Sequence, residues 1–279
     1  MKQAVWHFWK KRWKLAVQVN CAKNRSTNRY YMTIILKTER LTKKFGGLTA
    51  VDHVNMTLSK GELRCIIGPN GCGKSTLFNL ITGTYKPTSG RIAFKSKDIT
   101  GKPVHIIGRM GIGRKFQVPG IFNQLTVYDN IRVPFFRDQR RSLFLKPRKN
   151  SGIHQKITAL LQKINLDDKA CLPAIHLAHG EKQWLEIGMV LARRPQLMLL
   201  DEPTAGMTAA ETRKTAQLIR NISREEKMTI LVIEHDIGFV REIASRITVL
   251  YKGAVFKEGS YETIQSDEAV RKIYLGKSR

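Results

Sequence analysis

The order of apolar and polar positions along the chain predicts an α/β protein. Runs with the length and apolar character of strands lie at 34–38, 50–56, 62–67, 91–95, 197–200, 229–233, 246–251 and 254–258. Helical periodicity marks the segments 74–83, 209–225 and 262–274, and the stretch 119–195 is poor in strand signals. Because buried apolar strands alternate with helices, the pattern indicates a parallel sheet covered by helices on its faces.

A glycine-rich turn joins the strand at 62–67 to the helix at 74–83. Its residues fit the pattern G-x-x-x-x-G-K-[ST] and are Gly68, Pro69, Asn70, Gly71, Cys72, Gly73, Lys74, Ser75 and Thr76. The glycines let backbone N–H groups turn inward as an anion nest, and the helix N-terminus adds partial positive charge. We expect Lys74 to reach the β- and γ-phosphates and the Ser75 hydroxyl to bind Mg²⁺. The motif predicts nucleotide binding without separating a kinase, a GTPase or a transport ATPase.

Two later strand ends carry further candidate side chains. Asp201 and Glu202 follow the apolar run at 197–200, and His235 closely follows the run at 229–233. Parallel strands bring their carboxyl ends to one edge of the sheet, where ligands bind. We expect Asp201 to bind Mg²⁺, Glu202 to polarise a water for attack on the γ-phosphate, and His235 to lie near that phosphate. Alone, such residues are more often loop, cap or structural positions, but the phosphate loop upstream favours a catalytic role.

In this order the motifs resemble those of the ATP-binding subunits of ABC transporters, over about residues 33–276. In the resemblance Gly68–Ser75 is the Walker A loop, 197–201 is Walker B, Glu202 is the catalytic glutamate and His235 is the switch histidine. The fold that it implies is a P-loop NTPase (RecA-like) parallel-sheet core with an antiparallel β subdomain and a helical subdomain at about 119–195.

The resemblance also assigns roles that the residues alone do not reveal. Gln117 occupies the Q-loop position, which senses Mg²⁺ and the transmembrane partner, and lies at the hinge of the helical subdomain. Ala178 and Gly180 fall in the signature motif, which contacts ATP on the opposite subunit. Phe45 takes the place of the aromatic residue that stacks on adenine, and Val51 adds an apolar contact.

Cofactors and partners are likewise implied by the resemblance. They are ATP and Mg²⁺, a second ATP-binding subunit of the same or a different kind, two transmembrane permease subunits and a periplasmic substrate-binding protein. The subunit would be peripheral, at the cytoplasmic face of the inner membrane, and no nucleic acid is expected. The segments 111–119, 177–189, 234–236 and 270–276 are similar to urea-importer ATPase subunits, with branched-chain amino-acid importer subunits next. We therefore expect uptake of urea and amides or of branched-chain amino acids.

Two positions depart from the family pattern. Ala178 stands where the signature motif usually carries a serine whose hydroxyl bonds the γ-phosphate, a hydrogen bond worth about 1.5 to 3 kcal/mol. Residues 208–210 read Thr-Ala-Ala where relatives often carry Asp or Asn in the D-loop. We expect weaker hydrolysis in the site that uses this signature motif, and intact hydrolysis in the site built on this chain's own phosphate loop.

Composition adds a strong positive charge. Lys and Arg number 49 against 22 Asp and Glu, a formal charge of +27, and eight of the basic residues lie in 1–31 without an acidic one. The spacing of Trp6, Trp9 and Trp13 would put these tryptophans on one face of a helix. Such a helix could lie on an anionic membrane or resemble a transit peptide. The favoured expectation is an extension, disordered or translated from a start codon placed too early, before an ATP-binding domain at 32–279.

The charge keeps a second class open, a nucleic-acid-associated ABC-type ATPase. Such proteins usually carry long coiled-coil insertions or two cassettes, and neither pattern occurs here. A P-loop kinase is less compatible with the Q-loop, signature and switch-histidine positions, and a non-catalytic interaction protein is less compatible with intact carboxylates. No apolar run approaches the ~18 to 20 residues of a membrane span.

Overall fold

The structure is a computed structural model that describes residues 33–115, 120–136 and 151–275. In this part of the chain the strands are β1 (Ile34–Phe45), β2 (Leu48–Ser59), β3 (Leu63–Ile67), β4 (Ser89–Phe94), β5 (Lys97–Asp98), β6 (Ile112–Arg114), β7 (Leu197–Asp201), β8 (Thr229–Ile233), β9 (Arg246–Tyr251) and β10 (Ala254–Gly259). The helices are α1 (Lys74–Ile81), α2 (Val104–Met110), α3 (Val127–Phe136), α4 (Ser151–Lys163), α5 (His179–Leu191), α6 (Ala209–Glu225), α7 (Ile237–Ile243), α8 (Tyr261–Gln265) and α9 (Glu268–Leu275), with a short 3₁₀ turn at Ala174–His176.

The larger sheet has the strand order β10-β9-β3-β8-β7-β6. Strands β9, β3, β8, β7 and β6 run parallel, and only the edge strand β10 is antiparallel to its neighbour within this sheet. Every residue of β3, β7 and β8 is buried. Along β3, Cys65 and Ile67 enter one apolar cluster while Ile66 enters the other. Both faces of the sheet are therefore covered, which is why the strands read as continuous apolar runs.

A smaller antiparallel sheet packs against one of these two apolar clusters. Its order is β2-β1-β4-β5, and all its strand pairs are antiparallel. Leu36, Leu58 and Phe94 are fully buried in the cluster that also holds Phe78 of α1. The predicted fold class, a parallel core with an antiparallel sheet and helices, is confirmed.

Helix α6 has the bounds predicted from the sequence, and its ends explain why. Thr208 is the N-cap: its hydroxyl accepts a hydrogen bond from the N–H of Glu211 (3.3 Å), and the Glu211 carboxylate accepts from the N–H of Thr208 (2.8 Å). This capping box satisfies two N–H groups that a helix start leaves without partners. Leu218 and Ile222 then lie four residues apart on the buried face.

Other elements differ from the sequence expectation. The short strand β6 and the helix α2 had no clear signal, since three residues and seven residues give too little periodicity. The terminal helix expected at 262–274 is two helices, because Asp267 interrupts it: its carboxylate accepts a hydrogen bond from the N–H of Val270 (2.9 Å) at the start of α9. No helix within the described ranges has the length and apolarity that a membrane span requires.

Candidate nucleotide and catalytic site

The glycine-rich loop lies between the carboxyl end of β3 and the start of α1. Lys74 is the first residue of α1 and is only 6% exposed. Its Nζ donates hydrogen bonds to the carbonyl oxygens of Gly68 (2.8 Å) and Pro69 (2.9 Å). The loop therefore curls around the ammonium group, which places a positive charge at the centre of the anion nest.

Two glycines of the loop are required by the path of the backbone. Gly73 has φ of 101°, and a Cβ there would lie 2.1 Å from the carbonyl oxygen of Ala50. A Cβ on Gly68 would lie 2.2 Å from the carbonyl oxygen of Leu250. Neighbouring strands thus hold the loop from both sides, and any side chain at these two positions would push it out of place.

Cys72 is enclosed by the same loop. The residue is 5% exposed, and its Sγ lies 3.9 Å from Nζ of Lys74. Burial raises the pKa of the Cys72 thiol, and the positive charge of Lys74 only partly opposes that rise. The thiol is therefore held mainly in its neutral, weakly nucleophilic form.

Asp201 ends β7, at the same edge of the sheet as the loop, and is 1% exposed. Its Oδ2 accepts a hydrogen bond from Nη2 of Arg114 (3.1 Å), and Arg114 also donates to Oδ1 of Asn79 in α1 (2.6 Å). Burial raises the pKa of Asp201, and the Arg114 guanidinium counters that rise. Arg114 therefore fixes the carboxylate against the helix that follows the loop.

The second oxygen of Asp201, Oδ1, is buried and has no hydrogen-bond partner among the described residues. A buried carboxylate oxygen without a partner is costly, and a hard divalent cation is a suitable ligand for it. The site thus fits Mg²⁺, with the hydroxyl of Ser75 on α1 as the second candidate group.

Glu202 and His235 meet at the same edge of the sheet. The Nε2 of His235 lies 2.8 Å from Oε1 of Glu202. Glu202 has φ of 46°, and its N–H donates to the carbonyl oxygen of Ile233 at the end of β8 (3.0 Å). A left-handed backbone at a residue other than glycine costs about 1 to 3 kcal/mol and is typical of functional positions. Both side chains are partly exposed at this edge of the sheet.

The two residues expected to contact the adenine ring differ in solvent exposure. Phe45 is 41% exposed at the end of β1, and its ring packs edge-on against Tyr85 with centroids 5.3 Å apart. The ammonium of Lys43 lies 4.9 Å from the centre of the Phe45 ring. Val51 is 1% exposed inside the apolar core and offers almost no surface to a base, so its contact stays a prediction. Tyr85 was not singled out in the sequence, where a loop tyrosine gives no signal of its own.

Ala178 and Gly180 lie at the start of α5, away from the chain's own phosphate loop in sequence. Ala178 is the N-cap of α5 and provides no side-chain acceptor, although its N–H still donates to the Glu181 carboxylate (3.1 Å). The imidazole Nε2 of His179 lies 2.9 Å from the carbonyl oxygen of Ala205. The signature segment therefore contacts the loop that follows Glu202.

Gln117 lies outside the described residues, but both flanks of its segment are described. The Nζ of Lys115 is 3.5 Å from Oε2 of Glu186 on α5, and the N–H of Gly120 donates to Oε1 of Glu186 (2.9 Å). Burial lowers the pKa of Lys115 and raises the pKa of Glu186, and each is opposed by the other's charge. One carboxylate therefore holds both flanks of the segment.

Sequence comparison identifies the family. Residues 51–205 match the sequence family described as ABC transporter. The chain is 37% identical over 251 residues to the high-affinity branched-chain amino acid transport ATP-binding protein LivG of Escherichia coli, covering 88% of this chain and 98% of LivG. It is also 37% identical to the corresponding protein BraF of Pseudomonas aeruginosa, with the same coverage. These relatives give no support to the nucleic-acid-associated alternative.

Solved structures agree with the sequence relatives. The ADP conformation of MJ1267, an ATP-binding cassette of an ABC transporter, superposes with a TM-score of 0.78 at 32% identity, covering 88% of this chain and 99% of that one. A dimeric post-hydrolysis state of the cassette MJ0796 bound to ADP and Pi gives 0.70 at 26% identity, covering 81% and 99%. The chain therefore belongs to the ABC transporter family, as one of its ATP-binding, ATP-hydrolysing cassettes.

Proposed function

We propose that this cassette powers an importer of branched-chain amino acids by hydrolysing ATP at the carboxyl edge of its parallel sheet. The observation that carries the proposal is the convergence there of Lys74, Asp201, Glu202 and His235 from three different strand ends. The cargo follows the names of the curated relatives, LivG and BraF. Urea or an amide stays a prediction from sequence resemblance alone.

In this proposal the phosphates of ATP bind at the loop 68–76. Lys74 gives up its hydrogen bonds to the carbonyls of Gly68 and Pro69 and donates to phosphate oxygens instead. This exchange is favourable because the ammonium charge is then paired with the negative charge of the phosphates. Ser75 and Asp201 hold Mg²⁺, joined by Gln117 as the family resemblance implies. The cation would neutralise developing charge on the phosphates. Phe45 stacks on the adenine ring, and the ring of Tyr85 packs edge-on against Phe45.

Glu202 acts on the attacking water, and His235 positions Glu202. The Glu202 carboxylate accepts a hydrogen bond from a water and polarises it for in-line attack on the γ-phosphate. His235, in contact with Glu202, orients that carboxylate, and in this proposal it also donates a hydrogen bond to the γ-phosphate. Because Glu202 and His235 are already in contact without substrate, little reorganisation is needed during the reaction.

A second cassette completes each site. We propose that Ala178 and Gly180 contact the ATP held by the partner's phosphate loop. Because Ala178 has no hydroxyl, the partner's site is the weaker one, and pairing with a different cassette that carries serine would give one strong and one weak site.

Two permease subunits and a periplasmic substrate-binding protein complete the proposed transporter, with this cassette on the cytoplasmic face of the membrane. A cleft of about 710 Å³ lies between α2 and α5 and is lined by Val104, Ile107 and Met189. Lys115 and Gly120, which flank Gln117, line the same cleft. We place the permease contact there, since Gln117 is the residue expected to sense that partner.

The assignment of Glu202 is tested by Glu202→Gln in the full-length chain. The amide cannot act as a base, so ATP turnover should fall at least about a thousandfold while ATP binding stays within about twofold. The matched control is Glu226→Gln, an exposed carboxylate paired with Lys163 far from the site. Turnover that persists in Glu202→Gln at the native rate contradicts the assignment.

The cargo is tested separately, in cells whose only copy of this chain carries Glu202→Gln. Uptake of labelled leucine should be lost, while uptake of labelled urea should be unchanged. Retained leucine uptake contradicts the proposed cargo without touching the ATPase assignment, and loss of urea uptake would favour the second candidate.

A further inference from the structure

Glu234 is a buried carboxylate to which neither the family motifs nor the proposed reaction gives a role. It follows β8 directly, precedes His235 and is only 3% exposed. A buried ionised group is costly unless hydrogen bonds compensate it, so its partners indicate what it does.

The partners of Glu234 come from two different loops. Its Oε1 accepts hydrogen bonds from the N–H (3.1 Å) and the hydroxyl (2.5 Å) of Thr204, in the loop that follows Glu202. Its Oε2 accepts from the N–H of His235 (2.9 Å). The N–H of Asp236 is also near Oε2, at 3.5 Å. One carboxylate oxygen of Glu234 thus accepts hydrogen bonds from the loop after β7, and the other accepts them from the loop after β8.

These two loops carry the pair of side chains proposed to act on ATP. Glu202 and His235 are 2.8 Å apart, but each stands on a turn without regular secondary structure. The backbone of Glu202 is strained, with φ of 46°, and such a conformation persists only when neighbouring contacts hold it. Glu234 supplies contacts of this kind two residues after Glu202 and at the peptide N–H of His235 itself.

We propose that Glu234 is a positioning residue for ATP hydrolysis: its carboxylate joins the two loops and thereby holds Glu202 and His235 in contact. The inference rests on the proposed function, since it assigns Glu202 and His235 to the reaction. Glu234 does not touch the phosphate loop in any hydrogen bond of the described residues, so it acts on turnover rather than on ATP binding.

The test compares Glu234→Gln with the native full-length chain in steady-state ATPase and ATP-binding measurements. Glutamine keeps the shape but has one acceptor oxygen, so one loop meets an N–H group instead of an oxygen. The kcat should fall by about tenfold to a hundredfold, the range seen when a group that orients a functional residue is lost. The KM and the Kd for ATP should stay within about twofold.

Thr204 provides a milder pair of variants in case Glu234→Gln does not fold. Thr204→Val removes the hydroxyl donor while keeping the backbone N–H, and kcat should fall by about threefold to tenfold. Thr204→Ser keeps the hydroxyl and should have native kcat. A structural control is Glu258→Gln, which weakens the ion pair between the partly buried Glu258 and the buried Arg64 at the opposite edge of the sheet.

The outcomes separate the possibilities. A fall in kcat for Glu234→Gln and Thr204→Val, without one for Thr204→Ser and Glu258→Gln, supports the proposal. Native kcat in Glu234→Gln, or equal falls in Thr204→Val and Thr204→Ser, overturns it. A loss of melting temperature that matches Glu258→Gln, with kcat per folded molecule unchanged, also overturns it. If Glu202→Gln itself keeps native turnover, the proposed function fails instead.

Discussion

The amino and carboxyl edges of the parallel strands both carry buried charge, but they are built differently. At the amino edge, Arg64 of β3 is 1% exposed and donates to Glu62 (2.7 Å) and to Glu258 (2.8 Å). Both Glu62 oxygens accept hydrogen bonds, as do both Glu258 oxygens, with Thr248 and Arg246 among the donors. We call Arg64, Glu62, Glu258 and Thr248 the amino-edge cluster, and its charges are fully compensated within the chain.

The carboxyl edge is compensated only in part. Asp201 has one oxygen on Arg114 and one without a described partner, and Glu202 has a strained backbone. Lys74 is held by loop carbonyls rather than by an acidic side chain. A buried carboxylate oxygen without a partner among the described residues, Oδ1 of Asp201, therefore lies where a cation would bind.

The difference indicates that the amino edge of the sheet contributes to stability and the carboxyl edge to function. Buried charges that are fully paired hold the sheet together, whereas buried charges with an open position need a ligand to be satisfied. Variants at the amino edge should therefore change the free energy of unfolding, and variants at the carboxyl edge should change the response to MgATP. Four predictions test this division, from the largest expected effect to the smallest.

The largest effect is expected for Asp201→Asn. The amide keeps an acceptor for Arg114 but loses the charge that faces the cation, so the gain in ATP affinity caused by Mg²⁺ should drop by about a hundredfold. Binding of ATP in excess EDTA should stay within about twofold. Fluorescence titration with a labelled ATP, with and without Mg²⁺, measures both quantities, and an unaltered Mg²⁺ gain would contradict the role of Asp201.

Glu258→Gln should act on folding instead. It removes one of the two carboxylates that compensate the buried Arg64 guanidinium, so the free energy of unfolding should fall by about 2 kcal/mol. Urea denaturation measures the change, and Lys163→Gln, at a partly exposed ion pair, should lose well under 1 kcal/mol. A Glu258→Gln protein with native stability but impaired ATP binding would reverse the assignment of the two edges.

A smaller effect is expected when the reactivities of two thiols in the same chain, those of Cys72 and Cys171, are compared. Burial raises the pKa of Cys72, whereas Cys171 is exposed, so a maleimide should label Cys72 more slowly by about tenfold or more. The rate at Cys72 should increase with pH because the thiolate is the reacting form, and ATP should slow it further. Peptide mass spectrometry over time follows both sites, and equal labelling rates would show that the loop does not enclose the thiol.

The smallest effect is expected for Ala178→Ser. Glu181 already accepts from the N–H of residue 178, and a serine hydroxyl would add the missing half of the capping box. The free energy of unfolding should rise by about 0.5 to 1 kcal/mol. Ala178→Val offers no acceptor and should give no gain. Denaturation of both variants side by side checks this, and a gain for valine would show that the cap is not the cause.

Much of the fold could be predicted from the sequence because its signals are local. The strand 229–233 and the helix 209–225 have the predicted bounds, since continuous apolar residues mark the first and Thr208 with Glu211 caps the second. The break near Asp267 was missed because a single capping side chain competes there with a continuous helical pattern.

Among the site residues, too, local signals could be read from the sequence and contacts between distant residues could not. The phosphate loop and the strand-end residues could be identified because each stands at a fixed distance from an apolar strand. Arg114, Glu186 and Glu234 received no role, since each has a partner that is far away in sequence. Arg114 reaches Asp201 and Glu186 reaches Lys115, contacts that exist only after the sheet and helices have packed.

The most direct test of the division between the two edges is thermal unfolding of the native chain, Asp201→Asn and Glu258→Gln, each with and without MgATP. A ligand that binds only the folded state raises the melting temperature according to its affinity. Asp201→Asn keeps an acceptor for Arg114 but loses the charge that would face Mg²⁺, so MgATP should raise its melting temperature only a little. Glu258→Gln should melt at a lower temperature and keep the full native gain. A full gain in Asp201→Asn, or a lost gain in Glu258→Gln, would contradict the account.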